Sequence, residues 1–143
     1  MVCHGCYDAP CQLKLEARAG LERGGSEAVV YDAARIRPAE MTRLFDDAFS
    51  PEQWRRKGFY PVLDANDPED GLIYRMLQLK QAHPLPASGP MPEGFDFSLS
   101  REQQCPKQEA FDQFARDFPL WGMPYGLPGL NPDEHRDMLA LSL

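Results

Sequence analysis

The chain has 143 residues, a formal net charge of −7 and an apolar fraction of 43%, values that are typical of one globular domain. The excess of acidic side chains argues against binding to a phosphate backbone, so we expect no nucleic-acid partner. The one basic run, "WRRKG" (54–58), fits an exposed helix end. No run approaches the roughly 18 apolar residues of a membrane span, and the sequence as given contains no signal-peptide pattern.

Apolar spacing predicts a first helix over "RPAEMTRLFDDAF" (37–49), which begins with a proline in its first turn. Met41, Leu44, Phe45 and Ala48 follow at positions that share one helical face. Upstream of this helix, the only strand signal is the short run "AVVYDA".

Capping patterns predict where the next two helices begin. Ser50 precedes a proline and Gln53, which is a capping-box pattern. Asp67 also precedes a proline, and the helix predicted there ends where His83 meets another proline. Five residues of this helix share its inner face: Leu72, Ile73, Met76, Leu77 and Lys80.

Two further helices are predicted in the last third of the chain. "CPKQEAFDQFARDFP" ends at Pro119, and "NPDEHRDMLALSL" begins with a capping box of Asn131 and Glu134. The inner face of the first consists of Phe111, Phe114, Ala115 and Phe118. The second has no helix-stop signal before the last residue.

Between the third and fourth of these helices lies a proline-rich connector, residues 84–94, for which we expect extended backbone. Nine of the 14 prolines lie from Pro84 onward. The pattern predicts a mainly α fold with long Pro/Gly-rich loops, in which residues 1–143 form a single partial domain. Because the sequence opens inside a cysteine cluster and stops inside a predicted helix, we expect it to be a piece of a longer protein.

The first eleven residues contain three cysteines and one histidine, namely Cys3, His4, Cys6 and Cys11. A structural zinc site would need a second pair of ligands, which this segment does not supply. An iron–sulfur cluster is also disfavoured, because the C-x2-C-x4-C order is the reverse of the plant-type spacing. The turn-like "YDAP" between Cys6 and Cys11 favours a disulfide between those two, which requires an oxidising compartment. Cys3 and His4 form the second half of a c-type haem motif, C-x-x-C-H, whose first cysteine would lie one place upstream of Met1.

Met123 is the second candidate haem ligand. It lies between Gly122 and Pro124 in an apolar aromatic loop before the last helix, which is where class I cytochromes c place an axial methionine. The alternative is that Met123 fills core space. His83 and His135 fit helix ends or faces better than ligand positions.

Several segments together resemble the bacterial fatty acid cis/trans isomerase family, in order and across nearly the whole chain. They are "VCHGCYDAPCQLKL", "VYDAARIRPAEMTRLF", "GFYPVL", "RMLQLKQAHPLP", "FDFSLSREQQCP" and "PLWGMPYGLPGL". Members of this family are several times longer, with a secretory signal, a periplasmic location and a motif of the form C-V-V-C-H-G-C-Y. This sequence departs from that motif, because the position of its first cysteine lies upstream of Met1.

The resemblance implies a cytochrome c-like helical domain carrying haem c, with Cys3 as tether and His4 as iron ligand. Met123 would be the distal ligand or a wall of the acyl site. The implied reaction converts cis-unsaturated acyl chains of membrane phospholipids to trans at a membrane surface in the periplasm. Two alternatives stay open, an electron-transfer c-type cytochrome domain and a disulfide-stabilised interaction domain without haem. We expect these 143 residues alone to be inactive.

Overall fold

Helices and turns make up the regular structure of residues 10–28 and 46–143, the ranges that the computed structural model describes. The helices are α1 (Arg18–Arg23), α2 (Pro51–Arg56), α3 (Leu72–Ala82), α4 (Arg101–Gln104), α5 (Phe111–Asp117) and α6 (Pro132–Ser142). Short 3-10 turns cover Pro10–Gln12, Pro68–Asp70, Gln108–Ala110 and Pro119–Trp121. Within the described ranges the only strand-like pairing is one antiparallel bridge, between Gly25 and Tyr60. The predicted mainly α fold class is confirmed.

The chain divides into two compact units. Unit 1 contains Met1–Val62 and Ser100–Cys105, and unit 2 contains Leu63–Leu99 and Pro106–Leu143. No helix in the described part of either unit has the length and apolar character of a membrane span.

A buried arginine lies at the centre of unit 1. Arg23, only 1% exposed, stacks its guanidinium over the Phe59 ring at 4.8 Å and the Trp54 ring at 5.4 Å. Its Nη2 also donates to the Gln12 carbonyl. Aromatic ring faces attract a desolvated cation, so the guanidinium of Arg23 helps to stabilise the core in which it is buried.

Arg55 holds the end of α1 to the segment after α2. Its guanidinium donates to the carbonyls of Glu22 at 2.9 Å, Arg23 at 2.7 Å and Phe59 at 3.0 Å. The last carbonyls of a helix have no partner within the helix, and a fork of N–H donors satisfies them. The interpretation of "WRRKG" as an exposed helix end therefore holds for Arg56 and Lys57, which are exposed, but not for Arg55.

A disulfide joins Cys11 to Cys105, whose Cα atoms lie 5.7 Å apart. The expected Cys6–Cys11 pairing is therefore wrong, because a sulfur atom forms only one disulfide bond. Cys6 itself lies outside the described residues. The physical reason is long-range folding: residues 100–105 return to unit 1 and bring a cysteine 94 positions away to Cys11.

Unit 2 is built on α3, and its inner face is the predicted one. Leu72, Ile73, Met76, Leu77 and Lys80 are its buried residues. The helix begins one turn later than Asp67 predicts, since Pro68–Asp70 forms a 3-10 turn and Gly71 is the N-cap. It ends at His83, as predicted.

Most of the other helix predictions are confirmed, and one differs in its capping contacts. The Asn131–Glu134 capping box of α6 is confirmed, and so are the burial of Phe111 and Phe114 and the end of α5 before Pro119. Ser50 caps α2, although Gln53 accepts from the Phe49 N–H rather than from Ser50.

Two predictions fall largely outside the described residues. Positions 37–45 of the first predicted helix lie there, and its last positions, 46–49, are not helical; Ala48 is buried as expected. All but the first residue of the predicted strand also lies there. The connector 84–94 forms neither helix nor strand.

The disulfide yields a prediction. Peptide mapping of the oxidised protein without reductant should recover a Cys11–Cys105 linked peptide, and Cys105→Ser should lower the free energy of unfolding by about 2–4 kcal/mol because it releases a long loop. Cys6→Ser is the control and should leave the Cys11–Cys105 link unchanged. Recovery of a Cys6–Cys11 peptide would contradict the structure.

Candidate functional site

Met123 lies in a loop that packs directly against α3. We call residues 120–127 the Met123 loop. Its central backbone N–H, that of Met123, donates to the Met76 carbonyl at 3.0 Å, and the side chain is only 4% exposed. The peptide bond between Met123 and Pro124 is cis. The candidate ligand is therefore fixed to the central helix of unit 2 by its own backbone.

Gly122 permits this close approach. A Cβ atom at this position would lie 2.3 Å from the Lys80 nitrogen and 2.7 Å from the Met76 carbonyl oxygen. Both distances are shorter than any van der Waals contact, and both neighbours are backbone atoms of α3 that have no freedom to move aside. Only glycine lets the loop backbone touch the helix backbone here.

The Lys80 ammonium ties together the two ends of the Met123 loop. Its Nζ donates to the Leu120 carbonyl at 3.1 Å and to the Leu127 carbonyl at 3.3 Å, and the residue is 3% exposed. Hydrogen bonds from a charged donor each contribute about 1.5–3 kcal/mol, which offsets part of the cost of burying the charge. Burial lowers the pKa of Lys80 from 10.5 to about 8.

Aromatic side chains of the Met123 loop pack against one another and against Phe95. The Trp121 ring lies 4.8 Å from Phe95 and 6.0 Å from Tyr125, measured between centroids, and its indole N–H donates to the Asp96 carbonyl at 3.1 Å. Trp121 is thus satisfied at its polar edge and packed at its faces, as buried tryptophans usually are. This cluster joins the Met123 loop to the segment after the proline-rich connector.

The structure brings together few of the residues predicted for the site. Cys3 and His4 lie outside the described residues, and Cys11 is held in the disulfide of unit 1. His83 is the exposed C-cap of α3, and His135 Nε2 lies 3.3 Å from the Leu77 carbonyl. Both histidines occupy the helix-end and helix-face positions that the sequence favours.

No cluster of three or more His, Cys, Asp or Glu side chains able to hold a metal ion occurs in residues 10–28 and 46–143. Lys80 is a residue of this region that the sequence analysis placed on a buried face without assigning it a role at the Met123 loop. Its signal was its place in an otherwise apolar stripe, since a lysine is almost never fully buried without a partner.

Comparison with known proteins gives one match. A family model described as fatty acid cis/trans isomerase matches residues 39–140, which is more than two thirds of the chain. No curated protein matches, and no solved structure does.

The close contact at Gly122 yields a prediction. Gly122→Ala should lower the free energy of unfolding by about 3 kcal/mol or more, because the loop must leave α3 to admit the methyl group. Gly94→Ala is the matched control, because the nearest atom to its Cβ would be Leu120 Cδ1 at an ordinary 3.8 Å. Urea denaturation followed by tryptophan fluorescence measures both; equal effects would contradict the packing described.

The lowered pKa of Lys80 predicts a pH effect on stability. Between its folded pKa of about 8 and its usual value of 10.5, the unfolded chain binds more protons than the folded one, so stability rises with pH. From pH 7 to 9.5, the unfolding free energy of the native protein should gain about 1–2 kcal/mol over that of Lys80→Met. Lys57→Met, which removes an exposed ammonium group, is the control variant. A pH-independent difference for Lys80→Met would contradict the buried charge.

Proposed function

The chain belongs to the fatty acid cis/trans isomerase family, and we propose that it takes part in converting cis-unsaturated acyl chains of membrane phospholipids to their trans isomers. The family match over residues 39–140 is the observation that carries this proposal. It includes α3, the Met123 loop and most of α6.

The reaction requires rotation about a carbon–carbon double bond, which is blocked until the π bond is weakened. A haem c group, when bound, would supply reversible withdrawal of electron density from that bond. The donor chemistry of this chain fits such a group: Cys3 offers a thiol for attachment, His4 an imidazole for the iron, and Met123 a thioether.

This chain's own residues would hold the haem and keep water away from the acyl chain. Cys3 would tether the haem and His4 would take the proximal iron position. Met123 is either a distal ligand or a wall of the acyl site. In both roles its position depends on the contacts of its loop with α3, and the buried rings of Phe95 and Trp121 would keep water away from the acyl chain.

A cytochrome c-like arrangement is part of the proposal. Its support is the order of elements in unit 2, where the Met123 loop precedes α6 as the methionine loop precedes the last helix in class I cytochromes c. An electron-transfer domain would use the same residues, but it would not change the geometry of acyl chains.

We also propose a periplasmic location and action at a membrane surface. The Cys11–Cys105 pairing supports the first, because structural disulfides persist in oxidising compartments such as the periplasm. In unit 2, Phe97 and Leu127 expose large apolar side chains, which suits contact with lipid.

The proposal predicts loss of both haem and activity from one change. In the protein exported to the periplasm, Cys3→Ala combined with His4→Ala should abolish haem staining on a denaturing gel and the formation of trans acyl chains. Gas chromatography of acyl methyl esters, after incubation with cis-unsaturated phospholipid vesicles, measures the activity.

The matched control is His83→Ala, which removes an exposed imidazole and should retain haem and activity. Met123→Leu separates the two roles of Met123, since loss of a thioether ligand lowers the haem reduction potential and loss of a wall residue leaves it unchanged. Reversible haem redox chemistry with no trans product would favour the electron carrier. Covalent haem retained in the double variant would refute the assignment.

A further inference from the structure

The Cys11–Cys105 disulfide of unit 1 takes no part in the mechanism above. Cys11 is half-buried, and Cys105 is only 2% exposed. Disulfides of secreted proteins fall into two classes, because unstrained ones resist reduction by glutathione, whereas strained or exposed ones are labile and serve in regulation. The backbone at Cys11 indicates the class to which this bond belongs.

Cys11 and Gln12 both have a left-handed backbone, with φ angles of 53° and 52°. Glycine adopts this conformation without cost, but in other residues the Cβ atom crowds the following carbonyl oxygen. Asn and Asp tolerate it better, since their short side chains bond locally, and neither residue type stands here. Two such residues in succession persist only where the surrounding structure holds them in place.

Hydrogen bonds and the disulfide together hold this backbone. The Ser26 N–H donates to the Cys11 carbonyl at 2.6 Å. Arg23 Nη2 donates to the Gln12 carbonyl, and the Gln12 side-chain amide donates to the Ala28 carbonyl at 2.7 Å. The disulfide adds a covalent restraint at Cys11, so that opening it lets the left-handed residues relax.

The other half of the bond lies on a short return of the chain. Ser100–Cys105 belongs to unit 1, whereas the stretches on both sides of it, Leu63–Leu99 and Pro106–Leu143, belong to unit 2. The hydrogen bond from the Tyr60 hydroxyl to the Cys105 carbonyl is long, at 3.5 Å, and therefore weak. The disulfide is thus a covalent tie between this return and a residue 94 positions away.

We propose that the Cys11–Cys105 disulfide, closed on two left-handed residues, is a redox switch that thiol reductants open while unit 2 stays folded. A reductant thiolate attacks the Cys11 sulfur, the bond to Cys105 breaks, and Cys105 leaves as a thiolate that takes up a proton. A second reductant thiol then displaces Cys11. The protein gains two electrons and two protons, and the two reductant thiols become one disulfide.

Opening of the bond requires no haem and no acyl chain, so its failure would leave the proposed isomerase function untouched. Cys11 follows shortly after His4 in the sequence. The switch would therefore add or remove a fixed point beside the candidate haem ligand, and this consequence, unlike the opening itself, rests on the proposed function.

The test is equilibration of the purified chain with mixtures of reduced and oxidised glutathione, followed by alkylation and mass measurement. Cys3 and Cys6 are replaced by serine in every sample, so that Cys11 and Cys105 give the whole thiol signal. We expect the bond to open within the range of these mixtures. A bond that stays closed in a large excess of reduced glutathione would overturn the proposal.

Two variants at one position test the strain. Gln12→Gly and Gln12→Ala remove the same side-chain amide, but only the change to glycine also removes the Cβ atom. The equilibrium constant for disulfide formation should be about fivefold or more higher in Gln12→Gly, because its closed form no longer carries the cost of a left-handed residue with a Cβ. Equal constants would overturn the proposal. Circular dichroism should show equal helix content in both variants.

Amide hydrogen exchange measures what the switch releases. Reduction should speed exchange about tenfold or more at Ser26, whose N–H donates to the Cys11 carbonyl, and leave it unchanged at Met123, whose N–H donates to the Met76 carbonyl. Faster exchange at both amides would show that reduction unfolds the chain, so the bond would be structural and the proposal wrong. Unchanged exchange at both would refute it too, because opening would then release nothing.

Discussion

A single buried ammonium group couples the Met123 loop to the central helix of unit 2. Lys80 lies on the inner face of α3, and its Nζ reaches the carbonyls of Leu120 and Leu127, seven residues apart in the Met123 loop. A charge at this depth destabilises the fold unless those carbonyls stay in place, so the loop and the helix are coupled. Gly122 makes the coupling possible, because the loop backbone must lie against α3 for the lysine to reach it. The position of Met123 depends on these two residues and on its own backbone hydrogen bond to Met76.

Local patterns predicted the parts of the fold that depend on neighbours in sequence. The inner face of α3 was predicted residue by residue, and the capping box of α6 was predicted from Asn131 and Glu134 alone. Both are helix features, in which spacing of three or four residues places side chains together. The late start of α3 shows the limit: a proline after Asp67 favours a helical turn, and the same pattern is satisfied by a 3-10 turn that ends at Gly71.

Contacts between distant residues could not be predicted in the same way. The sequence around Cys11 offered Cys6 as a near partner, yet the partner is Cys105, which the chain brings back to unit 1 after nearly a hundred residues. Lys80 was placed correctly on a buried face, but its acceptors are backbone carbonyls 40 and 47 positions away, and carbonyls carry no sequence signal. Arg55 is a further example, because its acceptor, the Glu22 carbonyl of α1, is likewise distant in sequence and carries no sequence signal. These contacts depend on the tertiary fold, in which sequence spacing no longer determines distance.

The burial of Met123 constrains what it can do. A methionine side chain that leaves the core gives up about 1.5–3 kcal/mol of apolar burial, so an iron bond from Met123 has to exceed that loss or form without moving the side chain. The backbone hydrogen bond to Met76 and the lysine contacts at both ends of the loop oppose such movement. A wall residue needs no movement at all, because a thioether in an apolar cluster already presents the soft, adaptable surface that an acyl chain would pack against. Under the proposed function, the haem reduction potential of Met123→Leu would therefore separate the two roles: loss of an iron ligand would lower that potential, and loss of a wall residue would change only how an acyl chain is held.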